Sequence, residues 1–388
     1  MKITRIRATP VNIPLEAPIW WSGGHYPGTS KIVVEVETDQ GIVGLGEAPS
    51  VEVLPTIMAM GDRLRGFDPL DIAGCEVACV PPWQIVQNTD DSSTVKAFGA
   101  IEIALWDIRG KVWNVPLYTL LGGKVRDEIQ FTEYFGFRPG HEMSPSAIVD
   151  YCLSMREKHG STAFEGKLIL GRPSLEVETV KLLRDALGPD ATIRLDSNMQ
   201  WSLATARRIL DQLREYNVRN YEDPVGTFEE MAALRRHSTI PFSTHVPDLR
   251  RAVALGTPDS FVTNFAVLGG IGRSIRFIGA CEAMGVGFWC YSGDAGICTA
   301  AYLHVSAATQ WIQEPSQSLF RWQVGDVIEG GPFRQTNNVV PVPQGPGLGV
   351  TLDRKALDHW HKHFTENGPL DHFHDPLRPG KYRRLPLH

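Results

Sequence analysis

Residues 1 to about 50 alternate apolar and polar side chains with the period of two that is typical of β-strands. The stretch ITRIRATPVNI shows this pattern, and in SKIVVEVETDQGIVGLGEA the triplet Asp39-Gln40-Gly41 separates two apolar runs as a hairpin turn would. We therefore predict an antiparallel meander. The intervening residues 19–30, IWWSGGHYPGTS, predict an aromatic, glycine-rich loop that is too long for a tight hairpin.

Residues from about 55 to 122 show helical spacing instead. In GAIEIALWDIRGKVWNVPLYTLLGG the apolar side chains recur every three to four residues, and Gly122-Gly123 punctuate the end. This part of the chain predicts helices after the meander.

From about 127 to 315 the pattern changes again, to short apolar runs that each precede an amphipathic helix. Seven such runs occur in order: IQFTEYFGF, AFEGKLIL, TIRLDSN, NYEDPV, IPFSTHV, SFVTNFAV and GVGFWCYS. Strands that alternate with helices form parallel sheets, and this many units close more readily as a barrel than as an open sheet. From about 328 the chain is again rich in proline and glycine, and we predict that it ends in a polar helix and tail.

Composition narrows the class of protein. The 388 residues are 43% hydrophobic and 21% charged, with a net charge of −6 and no long basic run, so we expect no nucleic-acid partner. No run of about 18 apolar residues occurs and the start does not resemble a leader, so we expect a cytoplasmic protein without a membrane partner. The six cysteines form no CxxC pair and are interpreted as small buried side chains.

Polar side chains end the predicted barrel strands. They are Lys167, Asp196 with Asn198, Glu222 with Asp223, His245, Asn264 and Tyr291. Helix capping could explain the Asp and Asn residues, but it explains lysine, glutamate and histidine poorly. In a parallel barrel the carboxyl ends of the strands form the active site, so we expect these side chains to converge there.

Two carboxylates on successive strands indicate a cation. Asp196 and Glu222 would repel each other at the barrel mouth unless one were protonated or a hard cation such as Mg²⁺ were bound. Glu165 and Lys167 stand two positions apart in one predicted strand and therefore face the same side, toward this site.

Five motifs carry a family resemblance. GLGEA, ALWDIRGKVWNVPLYTLLGG, RLDSNMQW, YEDPV and VPVPQGPGLGVTLD, in this order, resemble the enolase superfamily, and the mandelate racemase and glucarate dehydratase branch fits best. The resemblance implies an α+β capping domain over a (β/α)7β barrel. It divides the chain into a capping domain at 1–125, a barrel at 126–327 and a segment at 328–388 that returns to the capping domain. It also implies Mg²⁺, abstraction of the proton α to a carboxylate, and an enediolate that undergoes elimination, epimerisation or cycloisomerisation.

The resemblance also assigns roles to residues. It implies Asp196 and Glu222 as metal ligands, Asn198 as a substrate contact, Lys167 as the second lysine of a Lys-x-Lys base motif, and Glu314 as an acidic group beside the substrate carboxylate. Trp20, Trp21, His25 and Tyr26 would form a mobile loop over the substrate. Four family positions are replaced: the first lysine by Glu165, the third ligand by His245, a supporting aspartate by Asn264 and a histidine by Tyr291.

These replacements have physical consequences. A carboxylate at Glu165 within about 4–6 Å would hold Lys167 protonated, making it an anchor for a substrate carboxylate before a base; a buried structural pair is the alternative. His245 is a better ligand for Zn²⁺ or Mn²⁺ than for Mg²⁺, and Asp248 is the alternative third ligand. Tyr291, with Asp294 nearby, suits a proton donor to a leaving hydroxyl. Asn264 and Asp294 are further candidate substrate contacts.

Three functions remain open from the sequence. The first is a metal-dependent dehydratase of an acid sugar or related α-hydroxycarboxylate, the second an epimerase or cycloisomerase, and the third a non-catalytic acid-sugar-binding protein. The resemblance also implies a homo-oligomer, from dimer to octamer.

Overall fold

The computed structural model describes residues 1–81, 92–137, 144–167, 172–291, 293–370, 381 and 385–386. An antiparallel sheet opens the chain, with strands β1 (Ile3–Trp21), β2 (Gly24–Thr38) and β3 (Val43–Ala48) in sequential order. The predicted meander is confirmed. The predicted loop at 19–30 is wrong, because the pairs Trp20↔His25 and Trp21↔Gly24 continue the ladder to the tip of one long hairpin.

Four helices follow in the described part of this region: α1 (Leu54–Leu64), α2 (Ile72–Cys79), α3 (Ser93–Trp113) and α4 (Leu117–Leu120). Helix α3 lies directly on β3, which explains two glycines of the GLGEA motif. A Cβ atom at Gly46 would stand 2.0 Å from the carbonyl oxygen of Ala100, and one at Gly44 would stand 2.1 Å from that of Ala104. The helix therefore approaches the strand more closely than any larger residue allows.

The central part of the chain forms one parallel sheet. After β4 (Glu128–Gln130), seven strands lie side by side in sequence order: β5 (Glu133–Gly136), β6 (Ala163–Lys167), β7 (Thr192–Asp196), β8 (Asn220–Glu222), β9 (Phe242–Thr244), β10 (Ser260–Thr263) and β11 (Gly287–Cys290). The helices of this part are α5 (Pro145–His159), α6 (Pro173–Leu187), α7 (Leu203–Leu213), α8 (Phe228–Arg235), α9 (Leu249–Leu255), α10 (Phe265–Leu268), α11 (Ile271–Met284) and α12 (Gly296–Ala308).

A short eighth segment at residues 316–317 closes the sheet into a barrel. The Gln317 amide donates to the Cys290 carbonyl at 3.0 Å, and the Thr132 amide donates to the Ser316 carbonyl at 2.8 Å. Ser316 also forms a parallel bridge with Phe131. The predicted (β/α)7β barrel is confirmed.

The last part of the chain returns to the opening sheet. Strand β12 (Val339–Pro341) pairs antiparallel with β4, and helix α13 (Arg354–Asn367) packs on β1, where His361 Nδ1 lies 2.7 Å from the Pro10 carbonyl oxygen. Helix α13 thus adds a late part of the chain to the capping domain. All six cysteines are buried and free, which confirms their interpretation. Among the described residues, no helix has the length and apolarity needed to cross a membrane.

Candidate active site at the barrel mouth

A cavity of about 1010 Å³ lies between the capping domain and the carboxyl ends of the barrel strands. We call it the mouth cavity. The capping domain contributes Trp21, Lys31 and Lys96 to its wall, and the barrel contributes Lys167, Asp196, Asn198, His245, Asn264, Tyr291 and Gln317. Its position is the one at which parallel barrels bind their ligands.

Three candidate metal ligands meet in this cavity. Asp196 ends β7, Glu222 ends β8, and His245 follows β9, so parallel pairing places the three side chains on neighbouring strands. Their ligand atoms all lie within 4.8 Å of one another. Asp248, the alternative third ligand, instead caps α9 by accepting a hydrogen bond from the Arg251 amide at 3.1 Å.

The electrostatics of this cluster suit a cation. Burial raises the pKa of Glu222, and the neighbouring Asp196 carboxylate raises it further. Burial lowers the pKa of His245, but three nearby carboxylates outweigh burial and raise that pKa to about 10. They are two aspartates and Glu222, whose Oε1 lies 2.6 Å from His245 Nε2. Within the described chain Glu222 Oε1 accepts no well-formed hydrogen bond. At a pKa of about 10, His245 carries a proton in the metal-free chain, and a divalent ion would replace this proton while it offsets the repulsion between the two buried carboxylates.

Lys167 lies directly beside these ligands. Its Nζ donates to Asp196 Oδ2 and to Asn198 Oδ1. Asn198 is itself fixed by its amide, which donates to Asp196 Oδ1 at 2.7 Å, and by its Nδ2, which donates to Asp196 Oδ2 at 3.0 Å. The structure thus brings together Lys167, Asp196 and Asn198 as one hydrogen-bonded group.

Glu165 and Lys167 both line the mouth cavity, as their spacing predicts, but the expected ion pair between them is not formed. The Glu165 carboxylate forms its ion pair with Arg194, at 2.6 Å and fully buried, and among the described residues no ion pair joins it to Lys167. The reason is the register: Glu165 lies opposite Arg194 across β6 and β7. The guanidinium also stacks over Trp289, 4.6 Å from the ring centroid. Arg194 stands two positions before Asp196 in β7, and alternate residues of a strand point to the same face. The sequence could therefore have predicted that Arg194 points into the barrel, as Asp196 does.

The expected position of Glu314 is also wrong. Its carboxylate pairs with Arg219, whose Nε lies 3.3 Å from Glu314 Oε2 and which immediately precedes β8. Glu314 therefore lies at the amino ends of the strands, away from the mouth cavity. Gln317 of the closing segment reaches the cavity instead, and its Nε2 donates to Glu165 Oε1 at 3.0 Å and to Glu222 Oε2 at 2.6 Å.

The aromatic hairpin tip divides its side chains between two faces. Trp21 and Tyr26 line the mouth cavity, whereas Trp20 and His25 stack on each other with ring centroids 5.4 Å apart and are not among the described residues that line it. The alternation of side chains along a strand accounts for this division. The arm leading to the tip is fixed to the barrel by the Glu16 amide, which donates to the Trp322 carbonyl at 2.7 Å.

The remaining predicted residues take different positions. Asn264 lines the cavity and caps α10 by accepting from the Val267 amide at 2.8 Å. Tyr291 lines the cavity edge-on to His245, with ring centroids 5.5 Å apart. Asp294 is not a wall residue among those described: it is buried and pairs with Lys31 Nζ at 2.7 Å. Sequence reasoning missed Lys31, although a lysine within the apolar run SKIVVEV is itself a signal.

Sequence comparison identifies the family. Residues 3–122 match the mandelate racemase / muconate lactonizing enzyme N-terminal domain, and residues 147–356 match the enolase C-terminal domain-like family. The chain belongs to the enolase superfamily. Members of this superfamily are enzymes that use Mg²⁺.

Individual relatives of this enolase-superfamily chain differ in activity. It is 26% identical to a probable glucarate dehydratase of Streptomyces coelicolor, over 95% of this chain and 93% of the relative. It is 27% identical to a chloromuconate cycloisomerase of a Pseudomonas species, over 93% and 99%. It also superposes on an enolase of Pseudomonas fluorescens solved with bound magnesium, potassium and tartrate, with a TM-score of 0.86, 28% identity, and coverage of 95% and 93%.

Proposed function

We propose that this enolase-superfamily chain is a divalent-metal-dependent hydro-lyase that removes water from an acid sugar or a related α-hydroxycarboxylate. The observation that carries the proposal is the convergence of Asp196, Glu222 and His245 within 4.8 Å, with Lys167 in contact with Asp196 in the same cavity. The probable glucarate dehydratase among its relatives supports this reaction class.

The three convergent residues are the proposed metal ligands. Asp196, Glu222 and His245 would hold Mg²⁺, with Mn²⁺ and Zn²⁺ as the other candidates because imidazole suits both. When bound, the ion supplies positive charge that stabilises the negative charge developing on the substrate carboxylate. The magnesium and tartrate bound to the Pseudomonas fluorescens relative support this choice of metal and of ligand class.

Lys167 and Tyr291 are the proposed acid–base pair. Lys167 Nζ is the base that accepts the proton from the substrate α-carbon, and the Tyr291 hydroxyl gives a proton to the hydroxyl on the neighbouring carbon. The C–O bond then breaks, one water leaves, and the resulting enol converts to a 2-keto acid. Both side chains line the mouth cavity, which allows one substrate to contact both.

Epimerisation or cycloisomerisation is the second candidate. The chloromuconate cycloisomerase relative favours it, since its identity and coverage match those of the dehydratase relative. Both classes begin with chemistry beside a carboxylate, so the product separates them. A binding protein without turnover is the remaining alternative, consistent with the replaced lysine and ligand positions at Glu165 and His245.

The test is product analysis in D₂O. The purified protein, loaded in turn with Mg²⁺, Mn²⁺ and Zn²⁺, is incubated with a panel of acid sugars and followed by mass spectrometry and NMR. The proposal expects, in the presence of metal, a 2-keto acid that has lost one water and carries one deuterium on the carbon beside the keto group. This product should be lost in Asp196→Asn and kept in Glu314→Gln, which lies outside the cavity. Deuterium at the α-carbon without water loss would instead indicate an epimerase, and neither change with any metal would indicate a binding protein.

We further propose that the chain forms a symmetric homo-oligomer, as the resemblance implies. Light scattering at micromolar protein concentration tests this, and a monomer would contradict it.

A further inference from the structure

The charged groups in the wall of the mouth cavity are mostly paired. Lys31 is held by Asp294 at 2.7 Å, Lys167 contacts Asp196, His245 Nε2 lies 2.6 Å from Glu222, and Arg194 neutralises Glu165. These pairs leave little positive charge available on the barrel side beyond the candidate metal site.

Among the described cations of this wall, Lys96 has no such partner. It lies in the first turn of α3, lines the mouth cavity and is half-buried. Its side chain forms no ion pair or hydrogen bond with any residue in the described ranges, and Glu52, an exposed carboxylate of the same wall, is not within ion-pair distance. Within the described ranges, the cavity therefore contains an ammonium group that is not paired with a carboxylate.

Two physical effects make this position suited to an anion. Partial burial removes water from the ammonium, so a charge-assisted hydrogen bond from a ligand carboxylate is stronger there than in bulk solvent. The amino end of α3, a helix that runs from Ser93 to Trp113, carries partial positive charge, and Ser92 at that end also lines the cavity. Lys96 and the helix end therefore favour the same sign of ligand.

Lys96 and the candidate metal ligands belong to different domains. Asp196, Glu222 and His245 belong to the barrel, whereas Lys96 extends from the capping domain. A substrate whose first carboxylate lies at the candidate metal site would fill the rest of the mouth cavity, whose wall on the capping-domain side includes Lys96. The cavity of about 1010 Å³ has room for such a molecule.

We infer that Lys96 binds a second carboxylate, at the far end of the substrate, so that the preferred substrate is an acid sugar with a carboxylate at both ends. This inference rests on the proposed function for the position of the first carboxylate. It makes Lys96 a specificity-determining residue, because an acid sugar that ends in a hydroxymethyl group cannot neutralise it. A single lysine matches the single charge of a carboxylate better than a phosphate group, which takes more donors.

The test compares ligands that differ at one end. Affinities of the Mg²⁺-loaded protein for D-glucarate, D-gluconate and 6-phosphogluconate are measured by calorimetry for the unchanged chain, Lys96→Gln and the charge-conserving Lys96→Arg. We expect the unchanged chain to prefer glucarate to gluconate at least tenfold. Lys96→Gln should lose about tenfold for glucarate and change less than twofold for gluconate, and Lys96→Arg should keep most of the preference. Thermal melts verify that the variants fold.

The outcomes separate this inference from the proposed function. Equal affinity of the unchanged chain for glucarate and gluconate, or an equal loss for both in Lys96→Gln, would overturn the role of Lys96. If Lys96→Gln lowers the affinity for 6-phosphogluconate but not for glucarate, the proposal that Lys96 binds a carboxylate is overturned. If the affinity pattern is as expected but no acid sugar loses water, the inference stands and the dehydratase proposal fails. If gluconate is dehydrated as fast as glucarate by both Lys96→Gln and the unchanged chain, the proposal stands and the inference fails.

Discussion

At the residue scale, the position of Lys167 makes it the group on which turnover should depend most. Its Nζ contacts Asp196 and Asn198 at the edge of the candidate metal site. We predict that Lys167→Met lowers the rate of α-proton exchange by roughly 10²–10⁴-fold, the usual contribution of a positioned acid or base. Metal affinity should not fall, because the variant removes a cation that competes for Asp196. Lys181→Met, at an exposed position on α6, is the control. Calorimetry measures the metal affinity of each variant, and NMR measures its rate of α-proton exchange. An unchanged exchange rate in Lys167→Met would exclude Lys167 as the base.

The buried pair of Glu165 and Arg194 gives a second prediction at this scale. Both side chains are almost completely inaccessible, and the pair measures 2.6 Å. Arg194→Met leaves the Glu165 carboxylate buried without its partner, which should lower the free energy of unfolding by about 3–5 kcal/mol. Glu165→Gln in the same chain should restore part of this loss, because the uncompensated charge is gone. Denaturant unfolding of the single and double variants measures the coupling, and strictly additive losses would contradict it.

At the scale of single elements, the hairpin formed by β1 and β2 predicts opposite effects for adjacent tryptophans. Trp21 lines the mouth cavity, whereas Trp20 stacks on His25 on the other face. Trp21→Ala should raise KM several-fold, since it removes part of the cavity wall, and Trp20→Ala should lower the melting temperature with little change in KM. Steady-state kinetics and thermal melts on both variants test this alternation, and a larger KM effect at Trp20 would contradict the orientation.

Helix α6 and strand β8 share a buried carboxyl group that predicts a pH dependence. Burial raises the pKa of Glu176 from 4.5 to about 8, and Tyr221 donates a hydrogen bond to it. The folded chain therefore keeps this proton up to about pH 8, whereas the unfolded chain releases it near pH 4.5. Its contribution to stability is complete below pH 4.5 and is lost as the pH rises toward 8.

Glu176→Gln isolates this contribution because it removes the titration and keeps the shape. The free energy of unfolding of the variant, relative to the unchanged chain, should rise between pH 5 and pH 8 by up to about 1.4 kcal/mol per pH unit. Urea unfolding of both chains at three pH values within this range measures this difference in the free energy of unfolding. The other titrating groups contribute equally to the two chains, so their contributions cancel. Parallel pH profiles for the two chains would contradict the raised pKa.

At the scale of the whole molecule, the candidate metal site joins three neighbouring barrel strands, so metal binding should stabilise the folded chain. Saturating Mg²⁺ or Mn²⁺ at 100 times its Kd should add about 2.7 kcal/mol to the free energy of unfolding. Differential scanning calorimetry should show a higher Tm with metal, no shift in Asp196→Asn, and a normal shift in Glu314→Gln. A metal-induced shift of the same size in Asp196→Asn would place the bound ion elsewhere.

The sequence by itself determined the architecture and the convergence of the candidate metal ligands. Alternation with a period of two, followed by seven strand–helix units, indicates a meander and a parallel barrel, since both patterns follow from which face each element buries. The ends of parallel strands meet at one rim, so Asp196, Glu222 and His245 could be expected to meet once their strands were identified.

Only the tertiary structure decided which side chain each charged residue contacts. Glu165 pairs with Arg194 and not with Lys167, because strand register sets them opposite each other. Asp294 pairs with Lys31 of the other domain, and Glu314 lies at the far end of the barrel because residues 316–317 close the sheet. Register, barrel closure and domain contact join residues that are distant in sequence. Spacing along the chain fixes the direction of a side chain but not the partner that it meets.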